Sequence, residues 1–244
     1  METETKNINK ATENWTKRLN KIGLSPLGMG LLVVVALIPM VITDEFILRL
    51  LISALMFAGL AMAFDFTAGF INIVNFGFAA FMGMGAYTSG LLVVKLGWSP
   101  LMTIPLGGFM AAILGFGLGL LTLRLGGIFA SCMTWFVALA MMSTTGNLVD
   151  LTQGYAGITI PLLFESVTNW PYYYIILVMV FVIYILLVCI TRSHIGLAFR
   201  AIGQDLEAAA SSGVDATYYK VMNFTVSCAL AGFLGAFYAH FIGI

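Results

Sequence analysis

PYYYIILVMVFVIYILLVCI, residues 171–190, is a run of twenty residues without a single charge. At about 1.5 Å per residue a helix of this length measures about 30 Å, the hydrocarbon thickness of a bilayer. A helix that is apolar all round has no face to give to water. The run therefore reads as a transmembrane helix, and it sets the fold class.

The rest of the chain repeats the pattern. Further spans are expected at about 26–43, 46–64, 77–96, 101–123, 127–146 and 219–243. Of the 244 residues, 61% are hydrophobic and only 9% are charged. A soluble domain carries about a quarter charged residues, so there is too little polar surface here to cover a water-soluble globule. The predicted fold is an all-α, polytopic membrane protein with about seven transmembrane helices.

The charges orient it. Residues 1–24 form a basic segment with Lys6, Lys10, Lys17, Arg18 and Lys21. With that segment cytoplasmic, Arg124, Arg192, Arg200 and Lys220 also fall inside, and only Arg49 and Lys95 fall outside. Such a bias satisfies the positive-inside rule. Asp44, Glu45, Asp150 and Glu165 then lie outside, and Trp98, Trp170 and Tyr172–Tyr174 sit at outer boundaries as an aromatic belt would. In the basic segment, Ile8, Ala11, Trp15, Leu19 and Ile22 recur at helical spacing. They read either as one face of a surface-lying amphipathic helix or as part of a solvated tail. No small-residue cleavage site marks a signal peptide. At Ser25-Pro26 a cap residue and a proline suited to the first helical turn open the first span.

The sequence offers little chemistry. Cys132, Cys189 and Cys228 all lie in apolar runs, and His194 and His240 lack a sequence neighbour suited to acid–base or metal work. There is no GxSxG, Walker A, HExxH or strand-borne GxGxxG. No catalytic, metal-binding or cofactor-binding residue is expected, so energy for any transport must come from a gradient or from another subunit. Nine of the 26 glycines lie along the third and fourth spans, with Gly115 and Gly119 forming GxxxG. Small residues of this kind let helix backbones approach closely in lipid.

Three segments carry the information. Asp65-Phe-Thr-Ala-Gly-Phe-Ile-Asn-Ile-Val-Asn-Phe-Gly77 is apolar but too short to span, and it holds Asp65, Thr67, Asn72 and Asn75. Read as a broken, re-entrant segment, it would line a cavity and offer hydrogen bonds to a polar solute. Read as a cytoplasmic turn, it would leave Asp65 solvated and the asparagines capping the next helix. The inner loop TRSHIGLAFRAIGQDLEAAASSGVDAT is polar and helix-forming. Asp205 can cap a short helix through Ser211, and Gly213 suits the left-handed position after it. The outer loop Asn147–Pro161 predicts a folded lid or a receptor contact.

Together these segments resemble the permease subunits of bacterial ABC importers for branched-chain amino acids, in the larger group with urea and sugar permeases. Glu207-Ala-Ala-x-x-x-Gly213 matches that family's EAA motif, and RSHIGLAFRAIGQD and VDATYYKVMNFTVSCALAGFLGAFYAH flank it. NFGFAAFMGMGAYTSGLL (75–92), LRLGGIFASCMTWFVA (123–138) and DLTQGYAGITIP (150–161) stand in family order. The resemblance implies that residues 25–244 are a transmembrane permease domain in the bacterial inner membrane, not an enzyme. It implies a second permease subunit, two cytoplasmic ATPases docking on a cytoplasmic coupling helix, and an extracytoplasmic solute-binding protein. ATP would be used only by the partners, and membrane lipid, not nucleic acid, would surround the chain. Glu207, Ala208, Ala209 and Gly213 would couple to the ATPases, and Asp65, Thr67, Asn72 and Asn75 are the pathway candidates. Asn75 and Phe78 stand where the branched-chain type more often has Ser and His. The expected solute is a branched-chain or other amino acid, with urea or a short amide as alternative, or a gradient-driven secondary transporter using Asp65. Family members continue beyond the segment ending here at Ile244, which implies a shortened member or a fragment.

Overall fold

The computed structural model describes residues 26–42, 44–122, 127–164 and 168–243. The basic segment 1–24, Ser25, Arg124 and Glu165 lie outside the described residues. Among the described residues, all regular secondary structure is helical: α1 (Pro26–Val41), α2 (Glu45–Ile71), α3 (Phe78–Leu96), α4 (Pro100–Thr122) and α5 (Ile128–Asn147) come first. A short α6 (Val149–Thr152) and a 3₁₀ turn (Gly154–Ala156) follow. Then come α7 (Trp170–Thr191), α8 (His194–Gln204), α9 (Leu206–Ser211) and α10 (Ala216–Ile242).

Six of these helices, α2 to α5, α7 and α10, are long and apolar enough to cross a membrane. The seventh expected span is the shorter α1. Their outward faces carry exposed Phe116, Leu121, Phe136 and Met142. An apolar girdle of this extent suits lipid, not water.

Polar side chains set several helix ends. Asp44 accepts from the Phe46 N–H at 2.9 Å to start α2, and Asp215 accepts from the Tyr218 N–H at 3.0 Å to start α10. Glu45 accepts the Asn169 N–H at 3.1 Å, tying the start of α2 to that of α7.

α10 is the hub. Just over half of its most apolar stretch is buried (56%), against a third or less for the other spans. It packs against α2, α3 and α4, and glycine makes the contact with α3 and α4 possible. A Cβ on Gly85 would strike the Gly232 carbonyl, and one on Gly107 would strike Gly85. Lipid tails give helices no hydrophobic reason to associate, so close backbone packing has to supply the attraction. The packing reading holds at Gly85, Gly107, Gly108 and Gly115, whereas Gly83 and Gly117 face open space.

α1 is joined to α7 by a proline effect. Pro39 has no N–H to give the Val35 carbonyl one turn earlier, and its ring crowds that turn. The Tyr173 hydroxyl donates to the freed Val35 oxygen at 2.6 Å, and Tyr174 donates to Ala36 at 3.4 Å.

One boundary is corrected. The second span does not end at residue 64 with a broken stretch from Asp65 to Gly77. α2 continues to Ile71, and only residues 72–77 leave the helix. Asp65 and Thr67 are two residues apart, roughly 200° around a helix. Asp65 is exposed and Thr67 is buried, so the two polar groups lie on different faces of one unbroken helix.

Candidate functional site

The α2–α3 junction is built from a left-handed stop and an inward return. Asn72, at φ 52° and ψ 36°, ends α2. Asparagine tolerates this conformation better than most side chains. The chain then turns back into the bundle. Asn75 is 1% exposed, its Nδ2 lies 3.8 Å from Cys228 Sγ, and Cys228 is at the middle of α10. Its Oδ1 accepts the Gly77 N–H at 2.9 Å, and Thr134 Oγ1 accepts the Phe76 N–H at 3.1 Å. Thr134 stands in the second turn of α5, so α3 begins against the interior of its neighbours. Gly77 is required there, because a Cβ would collide with the Thr134 carbonyl.

From this junction a groove of about 370 Å³ runs between α3 and α5. Phe76 and Trp135 meet edge-on at the end nearest the junction, with centroids 6.4 Å apart. Gly83 and Met84 of α3 face Leu139 and Met142 of α5 along it. Its lining is mostly apolar, and the polar side chains in it are Tyr87, Trp135 and Thr145. Tyr87 also borders a smaller cavity of about 120 Å³ against Gly157, Ile158 and Ile160, where the loop after α5 covers the bundle.

That loop is folded, as its glycines and polar residues predict. The Ile160 N–H donates to the Gly243 carbonyl at 3.1 Å, clamping it to the end of α10. Fully buried His240 reaches the Pro161 carbonyl through Nδ1 at 3.0 Å and Ser89 Oγ through Nε2 at 2.8 Å. Ser89 in turn meets Thr103 Oγ1 at 2.8 Å. His240 is thus a satisfied core histidine holding the loop around Pro161 on α3, α4 and α10.

The loop between α7 and α10 forms the expected short helix. Asp205 accepts from the N–H groups of Glu207 at 2.9 Å and Ala208 at 3.0 Å. Gly213, at φ +85°, closes the other end, with its N–H on Ala210 and the Val214 N–H on Ala209. Glu207 and Ala208 are exposed, and Ala209 is buried at 5%. The preceding α8 is amphipathic: Gly196, Phe199 and Ile202 are buried, and Arg200 is exposed.

The four pathway candidates do not form one site. Thr67 and Asn75 are buried within the bundle. Asp65 lies on the α7 side of α2, beside a 220 Å³ cavity shared with Tyr184 and Leu187. Asn72 is exposed and donates to the Gly203 carbonyl at 2.6 Å. Two residues that sequence reading passed over are Asn223 and Ser227 of α10. Asn223 Nδ2 donates to the Phe66 carbonyl at 3.0 Å, and Ser227 Oγ donates to that of Ala63. Their signal was available: two polar residues one turn apart on one face of a mostly apolar span. Among the described residues, the buried Thr67 Oγ1 and Asn223 Oδ1 have no hydrogen-bond partner.

Comparison with known proteins adds an independent line. Residues 46–244 match the family described as branched-chain amino acid transport system / permease component. The high-affinity branched-chain amino acid transport system permease protein LivM of Salmonella typhimurium is 26% identical over 208 residues. The alignment covers 74% of this chain and 49% of that protein. The LivM protein of Escherichia coli gives the same identity and coverage. The chain therefore spans about half the length of these relatives. No solved structure matches it.

Proposed function

The chain belongs to the family of permease components of branched-chain amino acid transport systems, and from that premise we propose that it is the membrane subunit of an ATP-driven importer for branched-chain or other amino acids. Its site would be the cytoplasmic membrane of a bacterium, with the N-terminus inside. A second permease subunit, two ATPases and an extracytoplasmic binding protein would complete the assembly. The chain would perform no chemistry of its own, and ATP would be consumed by the partners.

The observation that carries the reading is α9. It is a short helix fixed at both ends, by Asp205 and by Gly213, and it leaves Glu207 and Ala208 exposed. A small convex helix suits the groove of a partner. Its neighbour α8 is seated on the bundle, so a force on α9 would not be dissipated in a loose tail. Glu207, Ala208, Ala209 and Gly213 are the proposed ATPase contacts.

For the solute path we propose the groove between α3 and α5, with the Asn75–Gly77 junction at its inner end and Thr67 and Asn75 in the bundle behind it. Its apolar walls, Met84, Leu139 and Met142 among them, favour an aliphatic side chain over urea or another short amide. The gradient-driven alternative relied on Asp65. That residue sits on the other side of α2 from Thr67, which weighs against it.

The test is Glu207→Lys in the assembled transporter, read as uptake and as ATP hydrolysis. The reading expects both to be lost together. Survival of both in a verified complex would remove α9 as the coupling element.

A further inference from the structure

Two residues 131 positions apart meet at the inner end of the bundle. Asn72 is the left-handed cap of α2, and its side-chain N–H donates to the Gly203 carbonyl at 2.6 Å. Beside this bond the two backbones touch, because a Cβ on Gly203 would collide with the carbonyl oxygen of Phe70. The Arg200 guanidinium lies 5.9 Å from the centre of the Phe70 ring, and Phe199 packs edge-on against Phe66 at 5.6 Å. Side chain, ring and backbone contacts therefore seat the end of α8 on the last turns of α2.

Each partner in this joint is also the start of something that could move. Gly203 lies two residues before Asp205, whose extended backbone (φ −152°, ψ 111°) separates α8 from α9. Asn72 opens the 72–77 return, whose far end is held on Thr134 of α5 through the Phe76 N–H. The groove between α3 and α5 begins there. α9 runs on through residues 212–215 into α10, and the joint at Gly203 gives it a second route, to α2. A close-packed joint moves as a unit and passes displacement on.

We infer that the Asn72–Gly203 contact is the joint through which a push on α9 reaches the α2–α3 junction and the groove it opens. This rests on the reading of α9 as the ATPase contact. Asn72 is then a positioning residue rather than one that touches solute. Its exposure at the inner surface and its engagement with α8 agree with that role.

The experiment uses the complete transporter, with its partner permease, ATPases and binding protein, in proteoliposomes. Asn72→Gly keeps the left-handed cap and deletes the amide. Asn72→Asp keeps the cap and the size but presents an acceptor to the Gly203 carbonyl. In both variants the complex is expected to assemble and to keep the apparent affinity for solute. Solute moved per ATP hydrolysed should fall about tenfold, within the range of a typical coupling energy. Unchanged stoichiometry in both variants overturns the inference. So does loss of assembly in both, which would make the contact a structural tie. A change confined to solute affinity also overturns it, because Asn72 would then belong to the path. If the unsubstituted chain does not bind ATPases at all, the failure lies in the reading of α9 and takes this inference with it.

Discussion

Gly85 on α3 and Gly232 on α10 lie so close that a Cβ on the first would collide with the carbonyl oxygen of the second. The obstacle is backbone at the centre of the bundle, and it cannot rotate away. Gly85→Ala should lower stability by about 1–3 kcal/mol, the usual range for overpacking. Gly83 is two residues away with open space around it. Gly83→Ala should be neutral or raise stability by up to about 1 kcal/mol through helix propensity. Thermal unfolding of the purified protein in detergent separates the two. Equal melting temperatures would remove the close-packing account.

The Pro39 and Tyr173 pair makes a conditional prediction. Tyr173→Phe deletes the donor to Val35 and should cost about 1 kcal/mol or less, as single hydrogen bonds between membrane helices do. Pro39→Ala restores an N–H that can bond Val35 within α1. Tyr173→Phe should therefore cost less in the Pro39→Ala background. A double-mutant cycle on unfolding in detergent gives the coupling directly, and additive effects would contradict the assignment.

The spans themselves were legible, because twenty apolar residues in a row admit few alternatives. Six of the seven expected spans agree with the helices to within three residues at each end. The exception is α2. Polarity at Asp65 and Thr67 looks the same in sequence whether it marks a break or two faces of one helix, and only packing decides. The α9 motif was legible because its signals are local: Asp205 and Gly213 act on residues within four positions. The Asn72–Gly203 contact and the Asn223 and Ser227 bonds to α2 were not, because each joins residues more than 130 positions apart.

The placement of Asp65 on the α7 side predicts that its charge is dispensable for uptake. Asp65→Asn should leave solute affinity and rate within about twofold, as expected for an exposed substitution outside the working contacts. Initial uptake rates at several solute concentrations check this. A collapse of uptake with intact assembly would return Asp65 to the path.

His240 predicts an effect on the loop around Pro161. His240→Ala leaves the Pro161 carbonyl and Ser89 without their buried partner. A buried polar group stripped of its bond costs about 1–3 kcal/mol, so the loop should detach before the bundle unfolds. Labelling of a cysteine placed at Ile160 should speed up in this variant. Unchanged labelling would show that Ile160–Gly243 and its neighbours hold the loop without the histidine.

The central claim is that this chain is the passive membrane half of an ATP-driven importer. Solute accumulation in proteoliposomes tests it most directly, comparing the complete complex supplied with ATP on the α9 side with the chain alone under an ion gradient. The account predicts accumulation by the complex only while ATP is hydrolysed, and none by the chain alone. Accumulation by the chain alone, driven by the gradient and indifferent to ATP, would contradict it.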